Sequence, residues 1–95
     1  MLEKGRYAIK IVVEKQEGHC AAGHKVGDTW IIDDAKTPAG LCTHAFASMF
    51  PRIALLEFGG VQPWRQNPDN CRAACPDGPN PVWFEITRLQ PEEEE

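Results

Sequence analysis

Hydrophobic and polar positions alternate from Tyr7 to Val13. Tyr7, Ile9, Ile11 and Val13 share one parity, and Ala8, Lys10 and Val12 take the other. A period of two with β-branched residues predicts a strand, continuing towards Lys15 and stopping at Gln16-Glu17-Gly18. A second strand is predicted over 28–33, where Thr29, Trp30, Ile31 and Ile32 follow the Gly27-Asp28 turn pair. Asp33, Asp34 and Lys36 close it. The connection between these runs is too long for a tight hairpin, so it must be a wide loop. Val82 to Leu89 alternates again, Val82, Phe84, Ile86 and Arg88 against Trp83, Glu85, Thr87 and Leu89, and predicts a last strand.

Between the strands the period changes. Leu41, Cys42, Ala45, Phe46 and Met49 follow the i, i+3, i+4 spacing of a helix stripe. Thr37 is the expected N-cap, with Pro38 at the first helical position. Pro51 lacks a donor and clashes with the preceding turn, so the helix is expected to break there. A second short helix then runs through Ile53, Leu55 and Leu56 and stops at Gly59-Gly60. From Val61 to Pro81 the chain holds five of its eight prolines and little regular pattern. One short helix fits there, Asn70 to Cys75, capped by Asp69 and ended by Pro76. The expected fold is a small α+β domain: an antiparallel or mixed sheet of three to four strands, a broken helix (two short helices) on one face, and a long Pro-rich loop. The first and last strands are expected to be neighbours.

The chain's 95 residues suit one domain, expected over 1–91, and its 42% hydrophobic content is ordinary for a globular protein. The net charge of −4 comes from the end of the chain. Glu92, Glu93, Glu94 and Glu95 supply four of fourteen acids, and the rest balance the ten bases. Residues 92–95 are expected to form a solvated acidic tail. A neutral body without a basic cluster argues against nucleic acid as a partner. The beginning, MLEKGRYAIK, lacks the apolar core of a signal peptide, and no apolar run reaches the ~20 residues that cross a bilayer. A soluble, cytoplasmic protein without a membrane partner is therefore expected. In that compartment cysteines serve as free thiols or metal ligands more often than as structural disulfides.

The candidate chemistry lies outside the strand-like runs. The first wide loop carries CAAGHKVGD, Cys20 to Asp28, with a thiol, an imidazole and a carboxylate. Cys42 sits at the start of the predicted helix. Cys71 and Cys75 stand at i and i+4, on one face of the predicted short helix. If the loops close over one end of the sheet, these groups converge. Zinc needs four Cys or His ligands, and Cys20, Cys42 and Cys75 with either Cys71 or His24 meet that count. An iron–sulfur cluster is the other centre that thiolates hold; Cys71-x-x-x-Cys75-Pro76 matches only the tail of a ferredoxin run, whose earlier cysteines are missing. No C-x-x-C pair occurs, which argues against zinc-finger and thioredoxin-like readings. Against any site stands the behaviour of free cysteine as a small buried hydrophobe, which suits Cys42 on its stripe. A disulfide or redox pair is a further reading. His24 is either a ligand, an acid–base partner for a cysteine, or a stitch for the loop. His19 and His44 read as surface or packing residues. Asp28 and Asp77 read first as turn residues, each with a polar role in a site as the alternative. Trp30 and Trp83 read as core or rim packing; Trp64, in the Pro-rich loop, is a candidate pocket wall or partner surface.

Taken together, CAAGHKVGD, the GLC at the start of the helix, the Gly-Gly-x-x-Pro-Trp turn and the final CPD resemble the pattern of a family of small uncharacterised proteins of bacteria and archaea. The resemblance runs from the first strand to the last, on Cys20, Gly23, His24, Lys25, Gly27, Asp28, Cys42, Gly60, Cys75, Pro76 and Asp77. Cys71 is not part of that pattern. The resemblance implies no activity, but it implies Cys20, His24, Cys42 and Cys75 as the ligand set, with Cys71 an extra thiol.

Three functions follow as expectations. The first is a metal- or iron–sulfur-binding accessory or electron-transfer protein, holding zinc or a cluster and working with a protein partner or a second copy. The second is an enzyme with Cys20 or Cys75 as nucleophile and His24 as base. The third is a non-catalytic interaction subunit with structural thiols, which meets its partner through the Trp64 loop.

Overall fold

The computed structural model describes residues 6–33 and 36–90. The acidic tail at 92–95 and Asp34 lie outside these residues. Four strands and one helix follow in the order β1 (Ala8–Gln16), β2 (Thr29–Ile32), α1 (Thr43–Glu57), β3 (Asn70–Ala74) and β4 (Val82–Leu89). The strands form one antiparallel sheet ordered β2-β1-β4-β3. The small α+β fold is thus as expected, and the first and last strands are the central pair.

The alternation along the central strands is what builds the core. Ile9, Ile11 and Val13 lie beside Arg88, Ile86 and Phe84 on one face of the sheet, joined by Cys71 and Ala73 from β3 and Ile32 from β2. Helix α1 covers that face with Ala45, Met49, Ile53 and Leu56, all buried. Each fully buried side chain of the size of Ile9, Phe84 or Met49 contributes about 1.5–3 kcal/mol relative to exposure. The β1–β4 register shifts between Val13 and Lys15. Such a bulge bends a strand and increases its twist.

Three expectations for the elements are corrected. The helix does not begin at Thr37: its N-cap is Cys42, because Gly40 takes a φ of +84°, which no α-helix accommodates. The helix does not break at Pro51 but runs through it for 15 residues. The proline and Ala47, whose carbonyl loses its helical donor, are both exposed, so water can serve that carbonyl. The segment from Asn70 is no helix. It is strand β3, pairing Cys71 with Ile86 and Ala73 with Phe84, and it divides the Pro-rich stretch into two loops. Its burial alternates, Cys71 and Ala73 inward, Arg72 and Ala74 outward. A free backbone edge on β4 outweighs a local helix preference over so few residues. Asp69 is accordingly no cap but the carboxylate partner of Arg88, 2.9 Å away.

The far end of α1 closes as predicted. Gly59 N–H donates to the Leu56 carbonyl at 3.1 Å and Gly60 N–H to that of Leu55 at 2.7 Å, the paired pattern of a Schellman stop. Arg88, only 6% exposed, locks this end. Its guanidinium donates to the carbonyls of Leu56 (3.2 Å), Gly60 (2.8 Å) and Pro68 (3.0 Å) as well as to Asp69.

A candidate thiol-lined site

The other end of the sheet is where the loops converge. β1 runs into it at Gln16, which pairs with Val82 at the start of β4, and β3 leaves through Cys75. The amino end of α1 lies over the same end. Between them is a pocket of about 280 Å3 whose walls include Cys20, His24, Cys42, His44, Cys75, Asp77 and Asn80. Three of the four cysteines, each from a different segment, line this one space. All three are half-buried and packed against the rim of the core.

The wide loop reaches the pocket through two successive turns. Gly23 N–H donates to the Cys20 carbonyl at 2.9 Å, closing the first, and Asp28 N–H donates to the Lys25 carbonyl at 3.0 Å, closing the second. Gly27, at φ +96°, holds the third place of the second turn, where a side chain would strain the backbone. The Asp28 carboxylate accepts the Lys25 N–H at 2.9 Å, so this aspartate is a turn residue. The two turns bracket His24 and press it inwards to 5% exposure, edge-on to Trp30 with ring centroids 4.9 Å apart.

His24 Nε2 accepts the backbone N–H of Cys42 at 3.1 Å. The imidazole therefore joins the wide loop to the N-cap of α1, and its Nε2 lone pair is in use. Of the three roles open to His24 in the sequence, the stitch is the one with a hydrogen bond to support it. Among the described residues no thiol is hydrogen-bonded to a histidine, as a Cys–His catalytic pair requires.

Cys75 is held from the other side. Its N–H donates to the Val82 carbonyl at 2.9 Å, and its Sγ accepts the Val82 N–H at 3.3 Å. Amide donors of this kind tune thiolates that ligate clusters. Asn80 clamps the two loops together, its Oδ1 accepting the His19 N–H at 2.8 Å. Gly18 leaves room for that clamp, since a Cβ there would strike the Asn80 side chain.

Cys71 is the candidate that does not belong. It is fully buried under α1, four residues before Cys75 on an extended strand, and thus about 13 Å from it along the chain. Burial pushes its thiol pKa up, against the opposing pull of Arg65, Arg52 and Arg88. The expectation that Cys71 and Cys75 share a helix face falls with the helix. Among the described residues no three Cys, His, Asp or Glu side chains close on a point as they would around a single ion.

The pocket also holds residues not selected from the sequence. His44, read as surface or packing, stands at its mouth on the first turn of α1, and Asn80 was not singled out. A Pro-flanked Asn in a CPDGPN turn was the available signal for Asn80. Trp64 does not wall this pocket. It is 75% exposed in the loop between α1 and β3, at the opposite end of the helix, about 22 Å away by the length of α1.

Comparison of the chain with known protein families, characterised proteins and solved structures gives no match.

Proposed function

We propose that this protein binds an iron–sulfur cluster on Cys20, Cys42 and Cys75 and serves as a small cytoplasmic accessory or electron-transfer component. The observation that carries the reading is the meeting of three thiols from remote segments in one pocket, while the fourth is spent on the core. Two features support it. The pocket surrounds a space of about 280 Å3, which is room for a polyatomic cluster. The amino end of α1, which has no side-chain cap, opens on the same pocket. Apart from the Cys42 N–H, which His24 accepts, the N–H groups of its first turn have no acceptor within the helix and favour the negative charge that thiolates bring.

An electron-transfer role requires a partner, either another protein or a second copy of this chain. Reconstitution with iron and sulfide under anaerobic conditions tests the proposal. Sulfur-to-iron charge-transfer absorption should develop in the wild type and in Cys71→Ala. It should be lost in Cys20→Ala, Cys42→Ala and Cys75→Ala. Uptake of zinc alone, or of neither metal with all thiols titratable, is the contrary result.

A further inference from the structure

We infer that Cys20 and Cys75 are a reversible redox pair, which hydrogen peroxide oxidises to a disulfide across the pocket. This goes beyond the cluster reading and does not rest on it, because it concerns the chain with nothing bound.

The three pocket thiols differ in how they are held. Cys75 is fixed to the sheet, its N–H on the Val82 carbonyl and its Sγ on the Val82 N–H. Cys42 is fixed to α1, its carbonyl accepting the Phe46 N–H at 2.9 Å and its own N–H given to His24. Cys20 opens the turn 20–23, whose closing bond, from the Gly23 N–H to the Cys20 carbonyl, lies within the turn itself. Ala21, Ala22 and Gly23 are exposed. The turn is tied to the rest of the fold at its flanks, by the His19 N–H to Asn80 and by the His24 imidazole. It can therefore swing as a unit, with Cys20 next to its hinge.

Asn80 sets which thiol Cys20 meets. Its Oδ1 accepts the His19 N–H at 2.8 Å, one residue before Cys20, and its carbonyl lies 3.9 Å from the Cys75 Sγ. Beside it the Glu17 N–H donates to the Pro81 carbonyl at 2.9 Å, so the two loops run side by side. The path from the turn to Cys42 runs through His24, four residues after Cys20. Cys71 faces the core. A disulfide brings its two Cβ atoms to about 3.5–4.5 Å, a closure that the swing of one exposed turn supplies.

In the reaction the thiolate of one cysteine attacks a peroxide oxygen. The O–O bond breaks, one oxygen stays as a sulfenic acid and the other leaves as water. The second thiolate attacks that sulfur, the S–S bond forms, and the sulfenic oxygen leaves as a second water. Two thiols and one hydrogen peroxide thus give one disulfide and two waters. The bridge ties the wide loop to the β3–β4 connection and withdraws two of the pocket's three thiols until a dithiol reduces it.

The test treats the full chain, kept free of metal with a chelator, with hydrogen peroxide and maps its peptides by mass spectrometry. The expected product is two hydrogens lighter and links Cys20 to Cys75 within one chain. Dithiothreitol should reverse it, and its urea midpoint should be higher, because the bridge restricts the unfolded chain. Cys42→Ser and Cys71→Ser should still form it; Cys20→Ser and Cys75→Ser should not. Asn80→Ala should slow bridging several-fold without slowing alkylation of Cys20, which separates positioning from a loss of reactivity. A bridge through Cys42, bridges only between chains, or sulfinic acid with no bridge overturns the inference and leaves the cluster reading untouched. Failure to take up iron removes the cluster reading and leaves this pair as it stands. The wild-type peptide map decides the matter even where a variant does not fold.

Discussion

Cys71 and His24 carry the clearest consequences for single residues. Burial raises the Cys71 thiol pKa, so the folded protein holds this proton at pH values where the unfolded chain has released it. Over that window the native state binds more protons than the unfolded state, and stability falls as pH rises. The effect is absent below the ordinary thiol range. Urea unfolding from neutral to strongly alkaline pH should show this decline, and Cys71→Ala should flatten its alkaline part. Alkylation should separate the thiols in the same way, with Cys20, Cys42 and Cys75 labelled well before Cys71. His24→Phe keeps an aromatic ring against Trp30 but removes the acceptor for the Cys42 N–H. A buried amide left unpaired costs about 1–3 kcal/mol, which the shift of the urea midpoint will report. Arg88 is the larger case. Arg88→Ala removes the donors of three carbonyls and the partner of Asp69, and the expected loss is about 3–5 kcal/mol. By contrast Arg72→Ala breaks an exposed pair with Glu14 and should cost less than about 1 kcal/mol.

Among the elements, those with a long uniform period were legible in the sequence. The outer strands of the sequence alternate cleanly because one face of the sheet is covered by α1, and their pairing sets the middle of the sheet. β3 was not legible, because its five residues carry a cap-like Asp69 before them and a proline shortly after, which is also how a short helix is punctuated. What makes it a strand is the unpaired edge of β4, which no local pattern contains. The start of α1 was not legible for a similar reason: Thr37-Pro38 is a sound cap sequence, and the positive φ of Gly40 disqualifies it. The continuity of the helix through Pro51 was not legible either, because the cost of a proline depends on whether the orphaned carbonyl is buried, and Ala47 is exposed. Pro51→Ala restores that bond. It should stabilise the protein by about 1–3 kcal/mol, the interior-helix cost of proline less its restriction of the unfolded chain. A decrease in the urea midpoint would contradict the account of this helix. Gly18→Ala acts in the opposite direction. It forces Asn80 away from the His19 amide, and a loss of about 1–3 kcal/mol is expected, with faster labelling of Cys20.

At the scale of the whole molecule the fold separates two ends. One gathers the thiols; the other is fastened by Arg88 and presents Trp64. Among the described residues no helix is long and apolar enough to cross a membrane. The sequence made the convergence of Cys20, Cys42 and Cys75 readable, because all three sit where strand or helix patterns stop. It did not reveal that Cys71 points into the core, since that depends on the strand parity of β3. Nor did it reveal that His24 faces α1, since that depends on two turns and a helix start set far along the chain. Three thiols at one end of a sheet are a centre only if they hold one together. The direct test is iron and acid-labile sulfide analysis of anaerobically purified wild type beside Cys20→Ala, Cys42→Ala, Cys75→Ala and Cys71→Ala. The proposal predicts both elements in wild type and Cys71→Ala and their loss from the other three. Equal content in all five proteins, or dependence on Cys71, would contradict it.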